Sequence, residues 1–161
     1  MPKTYRLNPT PPLGWVLMAN AARARSFVRD PENRAMRELC SFVHPASRLK
    51  GQALSNDRGG KIQKSIGASS QFDPHTDLHR KEHTQFAREL AQYLEDSALA
   101  HRYPEVSLIA SKAFLGELRL HLGPATQKLL RTCVPLDLTA YEGSDLEHRV
   151  AQALHGSLVG A

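Results

Sequence analysis

Cysteine is scarce in this chain of 161 residues: Cys40 and Cys133 are its only two. Both fall inside apolar, strand-like runs and lack the spacing of metal ligands, so they are expected to be buried, reduced thiols. No apolar run approaches the roughly 20 residues needed to span a bilayer. The start, MPKTYRLNPTPPLGW, is interrupted by proline and polar residues and has no continuous signal-peptide core, so a cytosolic location without membrane contact is expected. Catalytic fingerprints are missing as well. There is no Gly-x-Ser-x-Gly elbow, no phosphate-binding Gly-Lys-Ser loop and no dinucleotide fingerprint, and no cofactor is implied.

What is present is an uneven charge. The whole chain carries a net charge of +5, but residues 1–81 carry +8 and residues 82–161 carry −3. A basic half suggests phosphate backbones or an acidic protein surface as partner; it says nothing about fold. The cations concentrate in the stretch from Pro45 to Thr76, which is rich in Gly, Ser, Gln and Asn and shows neither a strand nor a helix period. Between Arg48 and Lys64, the five cations Arg48, Lys50, Arg58, Lys61 and Lys64 face the single acid Asp57. Irregular stretches of about thirty residues in a compact domain are usually functional arms or linkers. The stretch therefore reads as a basic loop for an anionic partner, with Gly59 and Gly60 permitting close backbone approach. Its only aromatic residue is Phe72, too few for base stacking along a single strand.

Around this loop the chain reads as one α/β domain. Residues 1–13 form a Pro-rich arm, and residues 14–161 form the domain with its long basic loop at 45–76. Trp15–Ala19 and Ala24–Val28 are expected as a strand hairpin, Asp30–Asn33 as a turn and Met36–Val43 as a third strand. A long helix capped by Thr76 or Asp77 should run to about Ala100, with Leu78, Phe86, Leu90, Tyr93, Leu94 and Ala98 as its buried stripe. Val106–Ala110 reads as a central strand, apolar on both faces. A short helix over Ala113–His121 should bury Phe114, Leu115 and Leu118, and another should run from Gly123-Pro124 to about Arg131. Cys133–Leu138 reads as a strand that Pro135 marks as an edge. A last helix, opened by a Ser144/Glu147 capping box, carries Leu146, Val150, Ala153, Leu154 and Leu158. This order predicts a mixed five-stranded sheet, an antiparallel meander followed by parallel crossovers, covered by helices.

Two smaller groups stand out. Arg23 and Arg25 alternate by two, so on a strand both face one side and could extend a basic surface. His75, His79 and His83 recur every four residues near Asp73, Asp77 and Glu82, which is superficially ligand-like. The pattern is not the His-Glu-x-x-His of zinc proteases, and solvated or capping histidines explain it as well. They are weak metal candidates only, and the reading is that no metal is bound.

Several stretches together resemble the bacterial host attachment protein family, whose members are described as required for attachment to host cells. They are residues 15–27 (WVLMANAARARSF), Ser55–Lys61, His83–Ala91 (HTQFARELA), Phe114–Arg119 and Asp137-Leu138-Thr139. That family in turn is similar to the middle domain of archaeal and eukaryotic peptide-release factors and of Pelota. There a loop bearing Gly-Gly-Gln reaches the peptidyl-transferase centre, and its glutamine helps position water for ester hydrolysis. In this chain Arg58-Gly59-Gly60-Lys61 stands at that place, so the resemblance implies no release-type hydrolysis.

The expected function is a non-catalytic, translation-linked or stress factor that docks on ribosomal or transfer RNA. The contact residues would be Arg48, Lys50, Arg58, Gly59, Gly60, Lys61 and Lys64, with Arg23 and Arg25. The alternative is a protein-interaction factor involved in attachment to host cells. A hydrolase built on the His/Asp residues near 75–83 stands third.

Overall fold

The computed structural model describes residues 13–44 and 74–159. The Pro-rich arm up to residue 12 and residues 45–73 lie outside the described residues. With the latter go Arg48, Lys50, Arg58, Gly59, Gly60, Lys61 and Lys64.

The described elements are β1 (Trp15–Ala19), β2 (Arg23–Arg29), β3 (Met36–Val43), α1 (Pro74–Leu99), β4 (Val106–Ala110), α2 (Lys112–His121), α3 (Pro124–Leu129), β5 (Leu130–Pro135) and α4 (Gly143–Val159). The five strands form one sheet in the order β3-β2-β1-β4-β5. β1 pairs antiparallel with β2, and β2 with β3; β1 pairs parallel with β4, and β4 with β5. The expected mixed sheet, meander first and crossovers after, is what the chain forms. One irregularity interrupts the β2–β3 ladder. Ser26 faces Cys40 and Phe27 faces Glu38, which leaves Leu39 as the extra residue of a bulge.

Each face of the sheet has its own core. Trp15, Leu17, Ala24, Val106 and Leu108 point to the side covered by Phe86, Leu90 and Leu94 of α1 and by Phe114 and Leu118 of α2. Val16, Met18, Phe27 and Ile109 point to the other, against Leu146 and Val150 of α4 and Leu138. β1 and β4 are buried along their whole length, which is why both read as continuous apolar runs.

Four expectations need correction. α1 starts at Pro74, since a first-turn proline lacks only an N–H that would be orphaned anyway. Its Leu78 is exposed. At 1.5 Å per residue the 26-residue helix is about 39 Å long, whereas five residues of β4 span about 17 Å, so the first turns of α1 run past the sheet. β5 ends at Pro135 rather than Leu138. Leu136 N–H turns back to the Val134 carbonyl (3.0 Å) and takes the chain out of the ladder. Glu147 does not close a box on Ser144; its Oε1 accepts from Met36 N–H (3.3 Å) on β3. Finally, Cys40 and Cys133 are free but only half-buried, because each lies in a strand at the edge of the sheet.

The start of α3 is capped from outside. Glu95 of α1 accepts from Ala125 N–H (3.0 Å) through Oε1, and from Thr126 N–H (3.0 Å) and the Thr126 hydroxyl (2.9 Å) through Oε2. These are orphan donors that a first helical turn cannot satisfy itself. Gly123 makes room for this: a Cβ there would stand 2.3 Å from Glu95 Cδ. Burial raises the Glu95 pKa, but the three hydrogen bonds outweigh it and hold the carboxyl below its ordinary 4.5.

Two outcomes are expected. Leu94→Ala opens a cavity between α1 and the sheet and lowers unfolding free energy by about 2–5 kcal/mol in urea titration. Glu95→Ala removes the α3 cap at a cost of about 1 kcal/mol at neutral pH. Because the folded pKa is lowered, that stabilisation is present above pH 4.5 and lost as pH falls through the folded value, so mutant and wild type converge in acid.

Candidate functional site

Parallel strands place their carboxyl ends together. Ala19, Ala110 and Pro135 therefore share one edge of the sheet, the edge where α/β folds carry their ligand-binding loops. The β1–β2 turn lies there too, and β3 ends beside it: Val43 pairs with Arg23, and His44 N–H donates to the Ala22 carbonyl (2.9 Å). α2 starts there, with Ser111 N–H bonded to the Ala19 carbonyl (3.2 Å). α1 descends toward the start of β4, so its first turns stand over the same edge. His44 and Pro74, the described residues that flank 45–73, are thus both at this edge.

A closed polar network ties the edge together. Asn20 ends β1 and folds its side chain into the turn, where Oδ1 accepts from Ala22 and Arg23 N–H (both 2.9 Å). Its Nδ2 donates across the sheet to Asp137 Oδ2 (2.9 Å) and to Thr139 Oγ1 (3.0 Å). Thr139 donates its hydroxyl (2.7 Å) and its N–H (3.0 Å) to Asp137 Oδ1. Burial pushes the Asp137 pKa up, but the bonds from Asn20 and Thr139 and the nearby Arg23 charge prevail, holding it below 3.8. Beside this network an open groove of about 290 Å³ is lined by Asp137, Tyr141, Arg149 and Gln152 among others. There Arg149 lies 3.9 Å over the Tyr141 ring and pairs with Asp145 (3.1 Å). A larger groove of about 630 Å³ lies at the opposite edge, floored by Trp15, Val28 and Leu39.

Arg23 and Arg25 do share a face, and they differ in availability. Arg23 is exposed. Arg25 is committed. It holds both Glu38 oxygens (3.1 and 3.3 Å), donates to the Tyr141 carbonyl (2.8 Å) and lies 5.0 Å from the Phe27 ring centroid. A phosphate contact by Arg25 would have to displace these partners, so of the two only Arg23 offers a ready cation.

Of the histidine series, the His75 side chain lies outside the described residues. His79 and His83 have ring centroids 6.3 Å apart on α1. Among the described residues no group of three His, Cys, Asp or Glu side chains is placed to hold a metal ion. The structure adds what spacing could not show: buried His44 stacks on Phe86 (5.1 Å, 21°), and Glu117 of α2 accepts from the Thr84 hydroxyl (2.8 Å) and lies 3.2 Å from His121 Nε2. The turn-forming Asn20 and the Asp-x-Thr motif were local signals; the meeting of residues 117 positions apart was not.

The molecule is thus a single α/β domain whose sheet edge gathers polar turns and the ends of a strongly basic segment, and among its described residues no helix is long and apolar enough to cross a membrane. It belongs to the family of proteins required for attachment to host cells, whose sequence profile matches residues 15–150. An uncharacterized protein of Rickettsia prowazekii is 31% identical over 109 residues, which cover 66% of this chain and 68% of that relative.

Removal of Asp137 tests the network. Asp137→Ala removes the acceptor of the Thr139 hydroxyl and N–H and one of the two acceptors of the Asn20 amide at an exposed position, and is expected to cost about 0.5–1.5 kcal/mol in urea unfolding at pH 7. The Asp137 pKa is lowered, so its contribution is present above 3.8 and disappears as pH falls through the folded value.

Proposed function

We propose that this chain is a binding protein that serves attachment to host cells by engaging an acidic surface of a partner protein through the carboxyl edge of its sheet. The observation that carries this reading is family membership over residues 15–150. Charge supports the mode of contact. Arg23 is exposed at that edge, and His44 and Pro74, which flank the stretch of sequence bearing Arg48, Lys50, Arg58, Lys61 and Lys64, lie at the same edge. Opposite charges across such a contact speed encounter and set orientation more than they add affinity.

A second reading is docking on ribosomal or transfer RNA. It is favoured by five cations against one acid between Arg48 and Lys64, and by the resemblance of the family to release-factor middle domains. Lys61 stands where a release factor has glutamine, so this reading is a docking role without hydrolysis. Phosphate contacts of this kind weaken steeply with salt, about one power of salt concentration per phosphate neutralised.

One set of variants separates the two. Replacing Arg58, Lys61 and Lys64 by glutamine, alone and with Arg23→Gln, is expected to reduce adhesion to cultured host cells to the level of a deletion strain while leaving the unfolding midpoint unchanged. Adhesion equal to wild type sinks the first reading. Cosedimentation with ribosomes at low salt, lost at high salt and in the same variants, carries the second; a chain that stays in the free fraction at low salt removes it.

A further inference from the structure

We propose that the junction between the end of β3 and the first half of α1 is a proton-sensitive clasp, closed at neutral pH and opened when His83 becomes charged. His44 is 6% exposed, stacks on Phe86 of α1 and has its Nε2 buried without a hydrogen-bond partner among the described residues. His83 lies three residues before Phe86 on the same helix face. Around it stand His79 and the buried Glu82 on α1, His44 at the end of β3, and Glu117 with His121 on α2. Arg88 acts on Glu117 from α1. Three of the chain's eight histidines, His44, His79 and His83, thus meet in one place.

The charges do not cancel in favour of protonation. Burial, followed by His79, pulls the His83 pKa below 6.5; Glu82 and Glu117 oppose this, and His44 adds to the lowering. Glu117 is also drawn away, since it accepts from Thr84 and pairs with His121. When the clasp opens, the His83 ring reaches water and regains its ordinary affinity for protons. The closed form therefore binds fewer protons than the open one below about pH 6.5, and acidification drives opening until pH passes the folded value. Above pH 6.5 the drive vanishes. Each pKa unit between closed and open forms multiplies the opening equilibrium by up to about tenfold per histidine.

The clasp joins His44, the last described residue before 45–73, to the middle of α1, so its opening frees His44 from α1 without breaking β1 or β4. Its test is independent of which partner the basic segment binds. Native-state hydrogen exchange on the full chain, corrected for intrinsic rates, is measured at pH 7.5 and 5.5. Protection at His44 and over residues 79–86 is expected to fall up to about tenfold in acid while β1 and β4 keep theirs. His83→Gln should flatten this dependence. His44→Phe, which keeps a ring on Phe86 and removes a neighbour that helps lower the His83 pKa, should do so in part, and it decides the matter if His83→Gln does not fold. Equal protection at the two pH values overturns the proposal, as does an undiminished acid response in both variants.

Discussion

The fold depends on burying β1 on both faces. Its five residues, Trp15 to Ala19, are each no more than 8% exposed, between an antiparallel neighbour on one side and a parallel one on the other. A strand so placed can carry no polar side chain without an internal partner, because unsatisfied polar groups are expensive in the core. Polar function is therefore pushed to its ends. Asn20, the first residue beyond β1, takes that role at once, and its two-sided bonding to the hairpin and to Asp137–Thr139 links the antiparallel half of the sheet to the parallel half.

A mismatch of lengths does the rest. Short strands with a long covering helix leave the excess helix outside the core, and the polarity of the crossover decides at which edge it protrudes. α1 must end near the start of β4, so its surplus turns stand at the carboxyl edge, above Asn20 and beside His44. Leu78 is exposed for this reason, and the histidines of α1 meet His44 and α2 instead of the sheet. The same geometry makes Phe86 the boundary: it is 1% exposed, with Phe114 on one side and His44 on the other.

How much of this was legible in the sequence depends on the range of the interaction. β1 and β4 are continuous apolar runs and could be read to the residue, and the 36–43 bounds of β3 followed from the turn before it. β5 was misplaced because the run from Cys133 to Leu138 is apolar but for Asp137. Leu138 is buried in a turn that Pro135 forces, a tertiary outcome that no period of two reports. Glu147 looked like a local cap and is spent on a strand 111 residues away. Asn20 with Asp137, Arg25 with Tyr141 and Glu95 with Thr126 likewise depend on chain crossings that a single sequence does not encode locally. The Arg25 case matters most for the site, since alternation alone made it equal to Arg23.

The electrostatics of the edge favour holding over transforming. A carboxylate that serves as a general base at neutral pH needs its pKa raised toward 7, through burial or a like charge. Asp137, Glu95 and Glu117 are all moved the other way, because each accepts several hydrogen bonds that favour the ionised form. Such groups are weak bases and firm anchors. They fix the hairpin turn, the start of α3 and the α1–α2 contact in one arrangement. Order of this kind lowers the entropic cost of association, which leaves exposed cations such as Arg23 free to act through charge alone.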